Sequence, residues 1–414
     1  MQKNISAVLC YAVATLFLGY EMGLQVSPAV MVNELIQDIG LNASSLSLIS
    51  AAYFCAYAGM QIPAGIMFDK FNAKTLLTIA SAICTLGIFV FVVTKSAILL
   101  AAGRFITGFG SAFAFIGVLI MAKEWFDKKY FSILVGIAQL IAALGAMFGE
   151  VPLSISIEEN GWQSAIIGLT IIGVVLTALI AVIIKNNPKH KSVLSTNDKL
   201  SLVASLKLII KSKQSWAIAL YAFACWGPVT SFAELWGVEF LRQHLVITKT
   251  EAAAIVSSVW IGIAIGAPII GIIAAKKKKF ISILRVTSLI GFIATFWLIF
   301  GPVKSIYLAH ILAIGFGIAA ASQILTFSMI TENIPDNLAG TAIGFMNMAV
   351  VAGGAILQPL IGMIIHYSWD GIMRNNAPWY TSNDYQQALI IIPICFFICY
   401  ITSLYALKES KASN

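Results

Sequence analysis

Apolar residues fill twelve long stretches of this chain, and short polar breaks separate them. The stretches cover residues 7–33, 44–68, 75–94, 97–122, 131–153 and 162–184. After a longer polar break come 216–241, 251–275, 280–301, 304–331, 338–366 and 386–407. A crossing of ~30 Å of hydrocarbon needs about 20 mainly apolar residues at ~1.5 Å rise, so each stretch is long enough. Lipid offers backbone groups no hydrogen-bond partner, so each stretch is predicted to be a helix. The expected fold class is an all-α membrane protein, with 12 transmembrane helices in two pseudo-symmetric six-helix bundles.

Composition and charge sharpen this picture. With 59% hydrophobic and 11% charged residues, a soluble fold of this length lacks the polar surface to cover itself. The first apolar run is too long for a cleavable signal peptide and has no small-residue cleavage site. If the N-terminus lies inside, the inside segments hold 19 Lys and Arg residues, among them Lys3, Lys70, Lys74, Lys123, Lys128 and Lys129. The outside loops hold five: Lys95, Arg242, Lys249, Lys304 and Arg374. That bias puts both termini in the cytoplasm. The absence of long sorting tails fits a multi-pass protein of the cell inner (cytoplasmic) membrane, with an organelle membrane as the alternative. The net charge of +8 is topological, spread over separate loops with few interleaved aromatics, so no nucleic-acid partner is expected. All six cysteines (Cys10, Cys55, Cys84, Cys225, Cys395, Cys399) fall inside apolar stretches and read as small buried hydrophobes.

Lys185 to Ser215 is polar and basic and carries Asn186-Asn187-Pro188, so it reads as a cytoplasmic linker, with Leu200 to Ile210 as a surface helix within it. The expected organisation is 1–184, an N-terminal six-helix bundle; 185–215, the linker; and 216–414, a C-terminal six-helix bundle. The halves resemble each other. Gly108-Phe109-Gly110 matches Gly315-Phe316-Gly317 at an offset of 207. Gly136, Gln139, Gly145 and Glu150 match Gly344, Asn347, Gly353 and Gln358 at an offset of 208, and Pro63 corresponds to Pro268. Parallel repeats of this sort place substrate between the halves, near the bilayer midplane.

Between the second and third stretches stands Gly65-Ile-Met-Phe-Asp69-Lys70-Phe-Asn72-Ala-Lys74. This segment resembles the signature loop of the major facilitator superfamily (MFS), and the resemblance covers essentially the whole chain. Gly65, Asp69, Lys70 and Lys74 keep the pattern, whereas Asn72 replaces a second Gly and Ala73 an Arg. Asn tolerates positive φ, so the expected turn survives. The resemblance implies that the loop latches the cytoplasmic side when the transporter faces outward. Asp69 would lie against the positive end of a helix beginning near Asn337. Arg104, Gly108 and Gly110 resemble the family's second motif. Gly136, Gly145 and Gly149 are spaced as in drug antiporters, but Glu150 stands where that motif has Pro. Gln25-Val26-Ser27-Pro28-Ala-Val-Met31 and Met60-Gln61-Ile62-Pro63-Ala-Gly65 are similar to a bacterial nutrient-uptake branch related to MFSD1-type dipeptide and amino-acid transporters.

Ionisable residues within membrane helices are costly enough to imply a function or a partner. Glu21 lies roughly 21 Å above the inner end of the first stretch, and Arg104 roughly 10 Å below the outer end of the fourth. In a core of ~30 Å these depths nearly coincide, and His310 falls at a similar level. One reading is that Glu21 takes up a proton while Arg104 grips a substrate carboxylate, each setting the other's charge state. The other is a static Glu–Arg pair that pins two helices. Glu150, Glu234 and His310 are further proton-coupling candidates. The carboxylates have a hydrated, interfacial alternative, and the histidine could instead hydrogen-bond a neighbouring helix. Tyr53, Tyr57, Gln139, Trp226 and Asn347 share a depth near the midplane and, with Gln25, suit a partly polar small molecule. Pro28, Gly227-Pro228 and Gly353-Gly354 are candidate bends.

The reading that follows is a secondary active transporter working by alternating access, a proton-coupled importer of an amino acid, short peptide or organic acid. Its expected partners are the small-molecule substrate, protons and the lipid bilayer, and the expected state is a monomer. The alternative is proton-driven efflux of lipophilic compounds. A membrane enzyme or a transport-dead sensor fits less well. There is no metal-ligand spacing, no catalytic triad pattern and no phosphate-cradling loop, so no cofactor or metal is expected.

Overall fold

The computed structural model describes residues 2–127, 130–185, 202–277, 279–332, 339–374 and 377–407. Lys128, Lys129, Lys189, Lys191, Lys199, Lys278, Asn337, Lys408 and Lys411, and most of the linker, lie outside the described residues, as do the side chains of Lys3 and Asp69. Among the described residues, twelve helical spans are long and apolar enough to cross a membrane. Two compact units are present: residues 1–194 with 371–379, and residues 195–370 with 380–414.

In the first unit, α1 (Gln2–Val26) runs into a 3₁₀ turn at Ser27–Val30. Pro28 supplies no N–H to continue the α-helical ladder. α2 (Val32–Ile39) then ends on Gly40, whose φ of 74° closes the helix in the left-handed region. α3 (Ala43–Lys70) starts from a reciprocal cap: Ser45 N donates to Asn42 Oδ1 at 2.8 Å, and Asn42 N donates to Ser45 Oγ at 3.0 Å. α4 (Ala73–Val93) follows. α5 (Ala97–Ser111) and α6 (Ala114–Trp125) form one span broken at Ala112–Phe113, and α7 (Phe131–Asn160) and α8 (Trp162–Ile183) complete the unit. α1 packs on α7, α3 on α5, and α4 on α5 and α8.

The second unit repeats these pairings. α9 (Leu202–Lys211) precedes α10 (Lys213–Pro228), which passes into a π-helical segment at Val229–Trp236 and then α11 (Gly237–His244). α12 (Lys249–Lys277), α13 (Phe280–Phe300), α14 (Ile306–Ala321), α15 (Ile324–Glu332) and α16 (Ala339–Tyr367) come next. A small hairpin pairs β1 (Met373–Arg374) with β2 (Ala377–Pro378) and belongs to the first unit, before α17 (Ser382–Leu389) and α18 (Ile391–Tyr405). α10 packs on α16, α12 on α14, and α13 on α14 and α18. The span made of α14 and α15 is broken at Ser322–Gln323, as its counterpart is at Ala112–Phe113.

Glycine contacts carry the same symmetry. A Cβ on Gly145 would overlap the Gly19 carbonyl, and one on Gly353 would come 2.5 Å from the Gly227 Cα. Both partners are related by 208 residues, the offset read from the sequence. The Gly-Phe-Gly alignment needs correction. Gly108 lies against the Tyr53 carbonyl on α3, but the glycine against the matching helix α12 is Gly317, at the Val259 carbonyl. Gly315 instead faces Ala294 on α13.

Three further expectations change. α3 stays helical through Lys70, so the signature loop shrinks to Phe71 and Asn72. Asn72 has φ −64°, ordinary extended backbone, so the turn needs no left-handed residue there. Cys55 is exposed, unlike the other five cysteines.

Candidate functional site

Four residues selected from the sequence meet in the first unit. Glu21 and Gln25 stand one turn apart on α1, Tyr53 on α3 and Arg104 on α5, and all four are buried. The Tyr53 hydroxyl lies 2.9 Å from Glu21 Oε2 and 3.0 Å from Gln25 Oε1. The Arg104 guanidinium carbon sits 4.7 Å from the centre of the Tyr53 ring, a cation–π arrangement. Tyr57 stacks on Tyr53 with ring centres 5.8 Å apart and planes at 23°. The absent Cβ of Gly108 lets α5 approach the Tyr53 backbone, and Arg104, one turn earlier, is thereby set over the Tyr53 ring.

Arg104 is held by backbone as well. Its Nη1 donates to the Leu24 carbonyl at 2.8 Å and its Nη2 to the Gln25 carbonyl at 3.2 Å. In an α-helix the Leu24 carbonyl would accept from residue 28, and Pro28 has no N–H to give. Ser27 Oγ reaches the same carbonyl at 2.9 Å. The helix break thus creates acceptors, and a buried guanidinium takes them.

Two residues not singled out as site candidates lie on α5 and on α4, which packs against it. The Ser111 hydroxyl, about two turns along α5 from Arg104, lies 3.5 Å from Cys84 Sγ on α4, which also donates to the Thr107 carbonyl at 3.4 Å. A serine or cysteine in an apolar helix carries no sequence signal of its own. The Leu24 carbonyl, left without a helical N–H donor, did have one, since Pro28 follows four residues later.

Gln139 is exposed on α7 and hydrogen-bonds no described residue. Glu150, also on α7, is fully buried, and so is Glu234 in the π-helical segment, so neither is a hydrated interfacial carboxylate. Trp226, Asn347, Glu234 and His310 belong to the second unit. There the Trp226 ring meets Trp260 edge-on at 6.4 Å, Asn347 is half-buried on α16, and His310 Nδ1 lies 2.7 Å from Ser258 Oγ on α12. Gln358 Nε2 donates to the Thr230 carbonyl at 2.6 Å. Its buried Oε1 has no hydrogen-bond partner among the described residues. In the signature segment Gly65 has open space where a Cβ would be, Lys70 is exposed and Lys74 half-buried. Asp69 ends α3 with its side chain outside the description. No group of three His, Cys, Asp or Glu residues placed to hold a metal occurs among the described residues.

Twelve crossing helices in two similarly packed sets, with a buried acid, base and tyrosine in the first, define a polytopic α-helical transporter. The Major Facilitator Superfamily profile matches residues 9–358, and the chain belongs to that family. The chain is 23% identical to the lysosomal dipeptide transporter MFSD1 of Danio rerio over 82% of its own length and 76% of that protein. It is 30% identical to the probable sulfoacetate transporter SauU of Cupriavidus necator, but only over 38% of this chain and 37% of that relative. Among solved structures, a bacterial homolog of the human lysosomal transporter Spinster, inward-facing and unoccupied, superposes with a TM-score of 0.77. That likeness is at 14% identity and covers 100% of this chain and 99% of the other. The family and these neighbours are transporters, not enzymes.

Proposed function

We propose that this protein is a secondary active transporter that imports a small zwitterionic or anionic nutrient with protons. The observation that carries the reading is the Tyr53 side chain, whose hydroxyl meets Glu21 at 2.9 Å while its ring lies under the Arg104 guanidinium. A carboxyl group and a guanidinium buried around one tyrosine respond to each other's charge, so binding of a proton and binding of an anion become linked. Sulfoacetate and dipeptides, the substrates named for two relatives, each present a carboxylate, which supports an anionic group on the cargo.

In this reading Glu21 is the proton site. Arg104 has two roles: two of its five N–H groups hold the broken end of α1, and its charge draws the substrate carboxylate. Tyr57 and Gln25 line the polar side of the cluster. Gln139, Trp226 and Asn347 remain candidate substrate contacts, and Glu150, Glu234 and His310 candidate secondary proton sites. Gly65, Asp69, Lys70 and Lys74 remain the proposed cytoplasmic latch. The protein works by alternating access as a monomer in the cell inner membrane, with both termini cytoplasmic, as the 19-to-5 distribution of basic residues supports.

The test is a thermal-shift screen of the purified protein against amino acids, dipeptides, organic acids and lipophilic cations, at about pH 5.5 and 7.5. Stabilisation by a zwitterion or carboxylate is expected, abolished by Arg104→Ala and pH-dependent only while Glu21 is present. Stabilisation by lipophilic cations alone, indifferent to Arg104, would overturn the reading in favour of efflux.

A further inference from the structure

We propose that α9 carries a docking surface for acidic phospholipid headgroups. A single residue, Ser212, separates α9 (Leu202–Lys211) from α10, and a membrane span starts with α10 at Lys213. α9 therefore stands at the end of a crossing helix, the level at which lipid headgroups lie. The proposal needs only this position, whichever side of the membrane it faces.

The local sequence fixes how α9 is held. Ser212 adopts extended backbone with ψ of 116°, so the chain turns between the two helices. Its Oγ accepts from Ser215 N at 3.2 Å and caps α10. The Ile210 carbonyl, in the last turn of α9, has no N–H to accept from within that helix. Trp216 Nε1, in the first turn of α10, donates to it at 2.7 Å. The Trp216 ring meets Phe345 of α16 edge-on at 5.6 Å. Ile209 is fully buried, and α9 packs on α10 and α16. Together these contacts set the rotation of α9 about its own axis.

That rotation leaves a basic edge beside an apolar flank. At about 100° per residue, Lys207 and Lys211 fall within about 40° of each other and nearly opposite Ile209. On the flank, Ile210 is 47% exposed and Trp216 is 52% exposed. Lys207, Lys211 and Lys213 are exposed, and among the described residues no carboxylate pairs with any of them. The sequence holds no Asp or Glu between Asp198 and Glu234. Three ammonium groups without a counter-ion attract negative charge, and lysine stems reach toward a headgroup while their methylenes stay on apolar surface. Indole rings favour the headgroup level, and Trp216 with Ile210 offers apolar surface that the glycerol end of a lipid covers. A soluble anion would leave that flank in water. A zwitterionic headgroup brings its own ammonium, so the match is to a headgroup of net negative charge.

The experiment follows thermal melting of the purified protein in nonionic detergent as phosphatidylglycerol or phosphatidylcholine is added to the micelles. Phosphatidylglycerol is expected to raise the melting temperature by about 2–4 °C, because it binds the folded arrangement of α9. Phosphatidylcholine should leave it nearly unchanged, and salt at about 0.5 M should remove the shift. Replacing Lys207, Lys211 and Lys213 together by Gln should abolish the phosphatidylglycerol shift without altering melting in phosphatidylcholine. Replacing Lys95, Lys276 and Lys304 by Gln removes the same charge from three other exposed positions and should keep the shift. Glycerol 3-phosphate, a soluble source of the same chemistry, should give none. A shift that survives in the α9 variant, or is lost equally in the other triple variant, overturns the proposal. So does an equal shift from phosphatidylcholine or from glycerol 3-phosphate.

Discussion

Arg104 Nη1 donates to the Leu24 carbonyl at 2.8 Å, taking the place of the N–H that Pro28 does not have. A proline that ends a helix and a distant arginine that satisfies the exposed acceptor form one device, and it joins α1 to α5. The pairing can be tested as a unit. Hydrogen bonds to charged groups contribute about 1.5–3 kcal/mol each, so Arg104→Lys, which loses the fork, is expected to destabilise by roughly that amount. Pro28→Ala gives Leu24 a backbone donor. The cost of Arg104→Lys should then shrink by at least ~0.5 kcal/mol in a double-mutant cycle of thermal melting. Equal costs in both backgrounds would show that the proline and the arginine act separately.

Gly145 and Gly136 share the spacing motif of α7 but not its physics. A Cβ on Gly145 would overlap the Gly19 carbonyl, whereas one on Gly136 meets nothing within 4 Å. Gly145→Ala is expected to cost about 1–3 kcal/mol by forcing α1 and α7 apart. Gly136→Ala should be neutral or stabilising by up to ~1 kcal/mol, because it lowers the entropy of the unfolded chain. Melting temperatures of the two variants in one detergent decide the matter.

Gln358 offers a test with a defined pH sign. Its Nε2 donates to the Thr230 carbonyl at 2.6 Å, while its Oε1 is buried without a partner among the described residues. Gln358→Met removes one bond and one unsatisfied acceptor together, so its cost should stay within ~1 kcal/mol. Gln358→Glu sets a carboxylate against a carbonyl. The ionised form repels the carbonyl and the protonated form donates to it, so folding favours the protonated form and this variant should gain stability as pH falls. A variant whose melting temperature ignores pH, or rises with it, would contradict the contact.

Glu21→Gln separates transport from coupling. In vesicles loaded with whichever amino acid or dipeptide stabilises the wild type, the variant is expected to retain counterflow exchange. Accumulation driven by a proton gradient should fall to background. Undiminished gradient-driven uptake would remove Glu21 from the coupling step.

Much of the fold was legible because lipid imposes simple rules. Backbone without water must be helical, so the twelve apolar stretches announced their helices to within a few residues at most ends. Pro28 announced a break in the first helix. Gly19 with Gly145 and Gly227 with Gly353 also follow the repeat offset, since close helix crossings demand small residues in both copies. Three-dimensional packing decided the rest. Depth arithmetic put Glu21 and Arg104 at one level, but not that Tyr53 stands between carboxylate, amide and guanidinium. It missed that Arg104 binds carbonyls, because bond direction depends on helix rotation and crossing angle rather than on rise. Equal depth also counted Gln139 as a site candidate although its side chain is exposed on α7, since depth is blind to which face a side chain occupies. Sequence alone therefore determined how many helical spans are long and apolar enough to cross, and most of their ends to within a few residues. Only the tertiary structure decided which polar groups face one another, because a hydrogen bond is set within tenths of an ångström and one helix residue turns the side chain by about 100°.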